Sequence, residues 1–344
     1  MNNKPVLTGL CFAELKGLLS SYPPFRSRQI YKWILAGTKS FNDMTNLPFP
    51  LRKELEEKFT LCSGTVGSEL HDPDGTIKLG ITLDDSSIIE AVILQDAAKR
   101  TTACLSTQAG CPLGCVFCKT GKLGFKRNLS ASEISAQFMH LRMREPDISH
   151  IVIMGMGEPL LNLEELRKAL NFFMDPDGLN ISKRRITVST SGIEKGILDL
   201  AENGPDIRLA FSITTARPLL REKLMPGSRE NPLPLLKKAL REYQKKRDRR
   251  ITLEMVILGG INSSLPDAEA ASDFAKGLNT VINLIPWNFV EGQEFEGAPL
   301  KAPTIRELEE FRAALESRGL KVTQRYGRGK SISGACGQLG VVIN

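Results

Sequence analysis

Hydrophobic residues recur at helical spacing over the first sixty residues of the chain. Thr8 is placed to cap a first helix, which the SYPP stretch stops, and further helices are predicted at 27–35 and at about 50–59. The turn and breaker residues between these stretches leave room for short helices only. We therefore expect residues 1–62 to form a small helical domain with a basic excess.

The pattern then changes to the shorter period of β-strands. Between residues 64 and 94, the runs KLGITL and SSIIEAVIL are bounded by the turn clusters DPDG and DDSS. Runs of this type between turn residues are typical of hairpins. We predict a β-hairpin linker over residues 63–100.

From residue 102 onward, short apolar runs alternate with amphipathic helices. The runs ACLST, HIVIM, RITVS, RLAFSI, ITLEMVIL and VINLIP predict six strands. Six β-α steps imply an α/β fold, with a parallel sheet curled into a full or partial (β/α)6 barrel and its chemistry at the C-terminal strand ends. We place this barrel at residues 101–325 and a C-terminal loop at 326–344. Helices are predicted at 130–144, with a Ser130/Glu133 capping box, and at 163–174, 233–244, 266–276 and 304–317.

Charge adds a preference for anionic partners. Among 344 residues, 46 Lys and Arg stand against 39 Asp and Glu, a net charge of +7. This excess suits nucleic acid, an anionic surface or a phosphorylated ligand without choosing among them. Basic residues crowd into 237–250, with smaller groups at 183–185 and 325–330. Only the fold decides whether these groups share a face.

The chain carries no sign of export or membrane insertion. The stretch MNNKPVLTGLCFAELKG lacks the apolar core of a signal peptide, and no uninterrupted apolar stretch reaches about 18 residues. The odd number of cysteines, seven, fits a reducing compartment better than a disulfide framework. We expect a cytoplasmic protein with no membrane span.

Three cysteines carry the most specific signal. Cys111, Cys115 and Cys118 lie at spacings of four and three, in a loop directly after the first barrel strand. A structural zinc ion is normally closed by four ligands, and no second CxxC pair is present, although a histidine could complete such a site. A [4Fe-4S] cluster held by three cysteines keeps one iron open for a substrate. The cluster is the favoured interpretation, and zinc stays open as the alternative.

With an aromatic residue before its last cysteine, the CxxxCxxC motif resembles the signature of radical S-adenosylmethionine (SAM) enzymes. The segments QAGCPLGCVFCKTGKLGFKRNLSASEI, IVIMGMGEPLLN, RRITVSTSGI, INLIPWN and GACGQL resemble the RlmN group of the RlmN/Cfr family, which are dual-specificity adenine-C2 methyltransferases of 23S rRNA and tRNA. The resemblance extends along nearly the whole chain, including RSRQIYKWI near the start. It implies that residues 1–62 contact RNA.

The resemblance also implies roles for individual residues. Cys111, Cys115 and Cys118 would hold the [4Fe-4S] cluster, and two SAM molecules would be used per turnover. An electron donor such as flavodoxin or ferredoxin would serve the cluster, and the chain would act as a monomer. The implied SAM contacts are Gly157, Glu158, Ser189, Ser212, Ile213, Thr214 and Asn288.

Two further cysteines and a carboxylate complete the implied chemistry. Cys336 would take a methyl group from one SAM, and a 5′-deoxyadenosyl radical from a second SAM would convert it to a methylene radical that adds to the adenine carbon. Glu90 would accept the C2 proton. Cys104 would then attack the sulfur of Cys336, so that a transient disulfide releases the methylated RNA.

The chain departs from the family pattern at three places. SITT at 212–215, PGSREN at 226–231 and GKSISG at 329–334 replace the usual SLHA, PINKKY and GDDIDA. Losing the acids of the last segment makes the loop around Cys336 more basic. The identity of the target adenine therefore stays open. The alternative functions also stay open: a Cfr-like C8 methyltransferase, a paralogue with another RNA target, a radical SAM enzyme acting on protein, and a non-catalytic RNA-binding protein with a structural metal.

Overall fold

The computed structural model describes residues 4–96, 100–325 and 327–340. Its helices are α1 (Phe12–Leu18), α2 (Pro24–Leu35), α3 (Phe49–Lys58), α4 (Lys119–Lys122), α5 (Ala131–Arg142), α6 (Leu163–Met174), α7 (Glu194–Asn203), α8 (Pro218–Leu224), α9 (Leu233–Arg247), α10 (Leu265–Ala275) and α11 (Ile305–Glu316). Its strands are β1 (Thr65–His71), β2 (Ile77–Thr82), β3 (Ile88–Gln95), β4 (Thr101–Cys104), β5 (Gln108–Gly110), β6 (Phe125–Asn128), β7 (His150–Ile153), β8 (Ile186–Thr190), β9 (Arg208–Ser212), β10 (Ile251–Ile257), β11 (Thr280–Pro286), β12 (Glu294–Phe295), β13 (Ala298–Pro299) and β14 (Val322–Gln324).

One ten-stranded sheet organises the described chain, in the order β1-β2-β3-β4-β7-β8-β9-β10-β11-β14. From β4 onward every neighbour is parallel, which confirms the predicted α/β fold. Within the described ranges, β1 and β14 are the two edge strands of the sheet and do not pair with each other, so the barrel is open. The six predicted strands are present, and β14 adds a seventh parallel strand that the short, polar run VTQ did not signal.

The predicted hairpins form the first three strands of this same sheet. β1, β2 and β3 pair antiparallel, and β3 then pairs antiparallel with β4, opposing Val92 to Cys104. The hairpins are therefore continuous with the barrel wall. This continuity brings the β1–β2 turn to the edge of the candidate site described below.

The first helix begins later than predicted. Thr8 does not cap it, because the Thr8 hydroxyl donates to the carbonyl of Leu61 at 2.8 Å, while Cys11 is the N-cap residue of α1. In contrast, α2 begins three residues earlier than expected, at Pro24, because proline is favoured in the first turn of a helix. The capping box of Ser130 with Glu133 at the start of α5 is confirmed.

The sequence patterns did not predict helices α7 and α8. These helices complete the alternation of strands and helices around β8, β9 and β10. The apolar face of α7 is short, with Ile197, Leu200 and Ala201 buried. Helix α8 has seven residues and begins with proline. Segments this short carry too few apolar positions for a periodic signal. Among the described residues, no helix is long and apolar enough to cross a bilayer.

A buried carboxylate joins the N-terminal helices to the barrel. Asp175, which follows α6, accepts a hydrogen bond from the Tyr31 hydroxyl at 2.6 Å and another from the backbone N–H of Phe12. Burial, together with the neighbouring Asp175 carboxylate, raises the pKa of Tyr31 above its usual range. The phenol therefore stays protonated and keeps donating.

We expect Tyr31→Phe to lower the free energy of unfolding by about 1 to 3 kcal/mol, because it leaves a buried carboxylate without one of its donors. Urea unfolding followed by circular dichroism measures this change. Tyr22→Phe is the matched control, because the Tyr22 hydroxyl reaches Glu54 in a more exposed pair. Equal effects of the two variants would contradict the assigned role of Asp175.

Candidate active site

The cysteine loop is held by a small two-stranded sheet. Cys111 follows β5, which pairs antiparallel with β6, and Cys118 is the N-cap residue of α4. Gly110 adopts a φ of 77°, and a Cβ there would collide with the carbonyl of Gly124. Only glycine fits this approach of the two strands, which directs the loop back over the C-terminal ends of the barrel strands.

Burial dominates the chemistry of the three thiols. It raises the pKa of Cys111 to about 12 and also raises those of Cys115 and Cys118. The charge of Cys118 contributes to the shift of both other thiols, so the three sulfurs lie close together. Thiols in such surroundings stay protonated until a cation replaces their protons.

The three thiols have the ligand chemistry that an iron-sulfur cluster needs. Within the described ranges, no group of three or more His, Cys, Asp or Glu side chains is placed to hold a metal ion. In a [4Fe-4S] cluster each cysteine binds a different iron, so the sulfurs surround the cluster instead of converging on one centre. Three neighbouring but separate thiols match that requirement.

An apolar cover packs against one side of the cysteine loop. Phe117, Trp287 and Val290 belong to a buried cluster against which Cys115 and Cys118 pack. The Trp287 indole N–H donates to the Phe117 carbonyl at 3.0 Å, which fixes the cover to the loop. Apolar surroundings of this kind tune the potential of a bound cluster.

Arg221 is a buried cation beside the loop that the sequence analysis did not single out. Its guanidinium donates to the backbone carbonyls of Ser191 and Ile213. Burial lowers its pKa to about 10, and the neighbouring Cys115 and Glu158 offset part of this effect. Arg221 therefore supplies positive charge between the cysteine loop and the ends of β8 and β9.

The Glu158 carboxylate already accepts four hydrogen bonds from within the protein. It accepts from the Thr190 hydroxyl at 2.7 Å, from the Ser191 N–H and hydroxyl at 2.8 and 2.9 Å, and from the Leu160 N–H at 3.0 Å. A carboxylate offers about four acceptor sites. Glu158 thus fastens the turn after β7 to the end of β8, and its contact with the ammonium group of SAM stays a prediction.

Gly157 is required for packing as well as for its backbone angle. Its φ is 103°, and a Cβ at this position would stand 2.6 Å from the Cβ of Gln108. The Gln108 side chain in turn accepts from the Glu158 N–H at 2.8 Å. Glycine at this position therefore allows the close approach to Gln108, and the contact of Gly157 with SAM stays a prediction.

The remaining predicted SAM contacts lie at the ends of β8 and β9. The hydroxyls of Ser189 and Ser212 are 3.1 Å apart, and Ile213 is fully buried. Thr214 has a φ of 57°, which is strained for a β-branched residue. Among the described residues its buried hydroxyl has no hydrogen-bond partner. An orphaned hydroxyl at a strand end suits contact with a polar ligand.

A cavity of about 650 Å³ brings the two remaining predicted cysteines together. Cys104, at the end of β4, and Cys336 both line it, and Asn288 and Arg325 lie in its wall. Burial raises the pKa of Cys104 to about 12; the charge of Cys336 raises it further and that of Arg325 lowers it. The same two thiols raise the pKa of Arg325. The guanidinium is therefore near enough to interact electrostatically with both thiols.

The segment that carries Cys336 is docked on the cysteine loop. The Lys119 N–H donates to the Gly337 carbonyl at 2.8 Å, and the Thr120 hydroxyl donates to the Leu339 carbonyl at 2.6 Å. Asn288, a predicted SAM contact, donates its amide to the carbonyl of Cys336 at 3.0 Å. Asn288 thus positions the loop around Cys336 in this arrangement.

The β1–β2 turn holds the other side of this segment. Asp72 accepts from the N–H and the hydroxyl of Ser331 at 3.0 and 2.6 Å, and Asp74 accepts from the N–H of Gly329 at 2.9 Å. The hydroxyl of Ser331, which belongs to the unusual GKSISG stretch, is therefore a partner for a carboxylate. No local pattern predicts this pairing, because its partners are more than 250 residues apart.

Glu90 lies beneath the same segment. Its carboxylate pairs with Lys78 at 2.9 Å, and both side chains are almost fully buried. Glu90 also accepts from the N–H of Gly340, and the Lys78 ammonium donates to the carbonyl of Ser333 at 3.3 Å. The predicted proton acceptor is thus covered by the C-terminal segment and linked to both sides of Cys336.

Comparison with known proteins agrees with this arrangement. The Radical SAM superfamily profile matches residues 105–268, and the profile of the ribosomal RNA large subunit methyltransferase N-terminal domain matches residues 7–61. A probable dual-specificity RNA methyltransferase RlmN of Treponema denticola is 49% identical, over 98% of this chain and 96% of its own length. A protein of the same name from Treponema pallidum is 44% identical over 97% of each chain.

The chain belongs to the RlmN family. A crystal structure of a radical SAM methyltransferase from Sphaerobacter thermophilus superposes with a TM-score of 0.92 and 38% identity, covering 97% of this chain and 99% of the other. Membership confirms the family resemblance found in the sequence and makes this chain a SAM-dependent enzyme of the radical SAM methyltransferase class.

We expect Asp72→Ala to loosen the segment of this RlmN-family chain that carries Cys336, because two hydrogen bonds from Ser331 lose their acceptor. Alkylation of Cys336 by iodoacetamide should accelerate by about three- to tenfold. Mass spectrometry of the tryptic peptide 331–344, in which Cys336 is the single cysteine, measures the rate.

Two matched variants control this experiment. Asp72→Asn keeps an acceptor oxygen and should stay close to the parent rate. Asp84→Ala changes the turn of the neighbouring hairpin and should leave Cys336 unaffected. A parent-like rate in Asp72→Ala, or an equal increase in Asp84→Ala, would show that the β1–β2 turn does not restrain the segment.

Proposed function

We propose that this chain methylates C2 of an adenine in 23S rRNA and in tRNA, using Cys336 as the methyl carrier and Cys104 to release the product. The observation that carries the proposal is the shared cavity of Cys104, Cys336 and Arg325. Two thiols near one cation are what a thiol methyl carrier and its resolving partner require. The relatives named as dual-specificity RNA methyltransferases support RNA as the substrate.

Cys111, Cys115 and Cys118 are the residues that would hold a [4Fe-4S] cluster, with SAM at the strand ends around Thr214. When bound, these groups supply a strongly reducing electron and a carbon-centred radical, which an unactivated aromatic carbon needs. The apolar cover of Phe117 and Trp287 packs against one side of that site. A one-electron donor such as flavodoxin or ferredoxin, and action as a monomer in the cytoplasm, belong to the same proposal.

Arg325 places a positive charge in the cavity that Cys104 and Cys336 line. The charges of Cys336, Glu254 and Cys104 raise the pKa of Arg325, so the guanidinium stays protonated. A cation beside the sulfur of Cys336 can orient an anionic or polar substrate group toward it. Among the described residues, the Arg325 side chain donates a weak hydrogen bond to the Met154 sulfur at 3.5 Å, which leaves further N–H donors for the cavity.

Cys104 acts in the release step. Its thiol is protonated in this arrangement, since its pKa lies near 12. Attack on the sulfur of Cys336 therefore involves loss of the Cys104 proton, forms an S–S bond and breaks the bond between that sulfur and the product carbon. The product carbon keeps the electron pair of the broken bond and takes up a proton, which completes the methyl group. An external two-electron reductant then returns both thiols.

Glu90 accepts the adenine proton only after the C-terminal segment shifts. In this arrangement the N–H of Gly340 occupies one oxygen of Glu90, and the carboxylate is 2% exposed. The Lys78 ammonium lies 2.9 Å from the Glu90 carboxylate and holds it in place beneath the segment. Movement of the segment toward RNA would therefore uncover the base at the moment it is needed.

We expect Cys104→Ala to accumulate a covalent complex of protein and RNA, because the product bond to Cys336 forms but cannot be broken. The chain, reconstituted with its cluster under anoxic conditions, is incubated with SAM, a reductant and 23S rRNA or tRNA. Denaturing gels detect the complex, and mass spectrometry of digested RNA identifies the methylated nucleoside.

The parent chain and Cys62→Ala, whose thiol lies outside the cavity, should release 2-methyladenosine. The double variant Cys104→Ala/Cys336→Ala should form no complex. Free methylated RNA at the parent rate in Cys104→Ala would refute the release role. Detection of 8-methyladenosine would overturn C2 as the position.

A further inference from the structure

Two of the basic groups noted in the sequence converge at the end of the barrel opposite the thiols. Arg185 immediately precedes β8, Arg208 begins β9 and Arg250 immediately precedes β10. These three strands are parallel neighbours in the sheet. Adjacent strands lie about 4.8 Å apart, so the three arginines are spread over about 10 Å of one rim.

The three arginines line the same cavity as Cys104 and Cys336, but at its other end. Arg100 and His150, at the starts of β4 and β7, complete the set of cationic or titratable side chains at this N-terminal mouth. Five parallel strands therefore each contribute one basic residue to a single opening. Alternation along a strand explains the placement, because Arg208 and Ser212 point to the same side of β9.

The mouth has little opposing charge. Within the described ranges, none of Arg185, Arg208 and Arg250 forms a salt bridge, whereas Arg100 pairs with Asp96 at 2.6 Å. The carboxylate of Asp206, next to β9, is already bound by Lys183 at 3.0 Å and by Arg249 at 2.6 Å. Like charges held side by side repel each other, and among the described residues no carboxylate forms a salt bridge with Arg185, Arg208 or Arg250 to relieve this repulsion.

The lowered pKa of His150 reflects burial together with the resulting positive potential. Burial lowers its pKa, and the charges of Arg100, Arg185 and Arg208 lower it further, against a smaller opposing contribution from Asp96. The imidazole therefore stays neutral at neutral pH and can donate or accept a hydrogen bond at the mouth. The four guanidinium groups supply the charge.

We propose that the N-terminal mouth of the barrel binds an anion built of linked phosphate groups. Guanidinium forks bind phosphate oxygens in pairs, and several forks around one opening match several adjacent phosphates. A cavity of about 650 Å³ also has the size of a small-ligand site. A compact polyphosphate fits a ring of cations at an opening better than an extended chain does, because an extended backbone needs a stripe of charge.

This site is independent of the proposed methylation chemistry. It lies about four residues of strand, roughly 13 Å, from the C-terminal strand ends where the thiols are placed. Linked phosphates occur both in free polyphosphates and in the RNA backbone. The experiment therefore has one arm for each source.

Isothermal titration calorimetry of the full-length, cluster-loaded chain with sodium tripolyphosphate tests the proposal at low ionic strength. We expect saturable binding with one site per chain. Arg208→Gln/Arg250→Gln should weaken the affinity at least tenfold. The control is Lys238→Gln/Lys245→Gln, which removes the same charge from exposed positions of α9 away from the cavity and should change the affinity less than twofold.

In the second arm, binding of a short single-stranded RNA is measured with the same variants. If Arg208→Gln/Arg250→Gln also binds the RNA at least tenfold more weakly, while the lysine control binds it normally, the linked phosphates are those of RNA. If the RNA affinity of the arginine variant is unchanged, the ligand is a free polyphosphate. Absence of saturable tripolyphosphate binding, or equal losses in both double variants, would overturn the proposal. Alkylation of Cys336 at the parent rate in the arginine variant shows that the fold and the thiol end are intact.

Discussion

A buried ion pair between Lys78 and Glu90 underlies the arrangement at the C-terminal end of the barrel. Its two side chains are 3% and 2% exposed, so both charges have lost most of their hydration. Such a pair is tolerated only when further hydrogen bonds satisfy it, and here the C-terminal segment provides them through Ser333 and Gly340. The two contacts flank Cys336 on either side, so the pair sets where that sulfur can lie.

Docking of this segment converts distant parts of the chain into one site. The β1–β2 turn, the cysteine loop and the end of β11 each hold one portion of it, through Asp72, Thr120 and Asn288. Most of these bonds involve the backbone of the segment, which leaves the thiol of Cys336 free in the cavity that Cys104 and Arg325 line. The proposed methyl transfer requires these bonds to be exchanged when the sulfur of Cys336 moves between SAM and RNA.

Local patterns predicted the parallel strands, most helices and the cysteine loop, because each depends on residues close together in sequence. They missed β14, α7 and α8, which are short and gain their stability from packing on neighbours. Lys78, Arg221 and Asp72 were missed for a different reason, since each has a partner on another element of the fold, Ser333, Ser191 and Ser331 respectively. The role of Arg325 as a cation near both thiols was equally invisible before the fold was known. The family resemblance supplied Cys104, Cys336 and Glu90, which spacing alone would not have connected.

The account rests on Cys336 as the carrier of one carbon. The most direct measurement incubates the cluster-loaded chain with SAM and a reductant, without oxygen and without RNA, and maps the peptide 331–344 by mass spectrometry. The account predicts a mass increase of one CH2 group on Cys336 in the parent chain and in Cys104→Ala. Methyl groups that appear on RNA while Cys336 never carries one would contradict it.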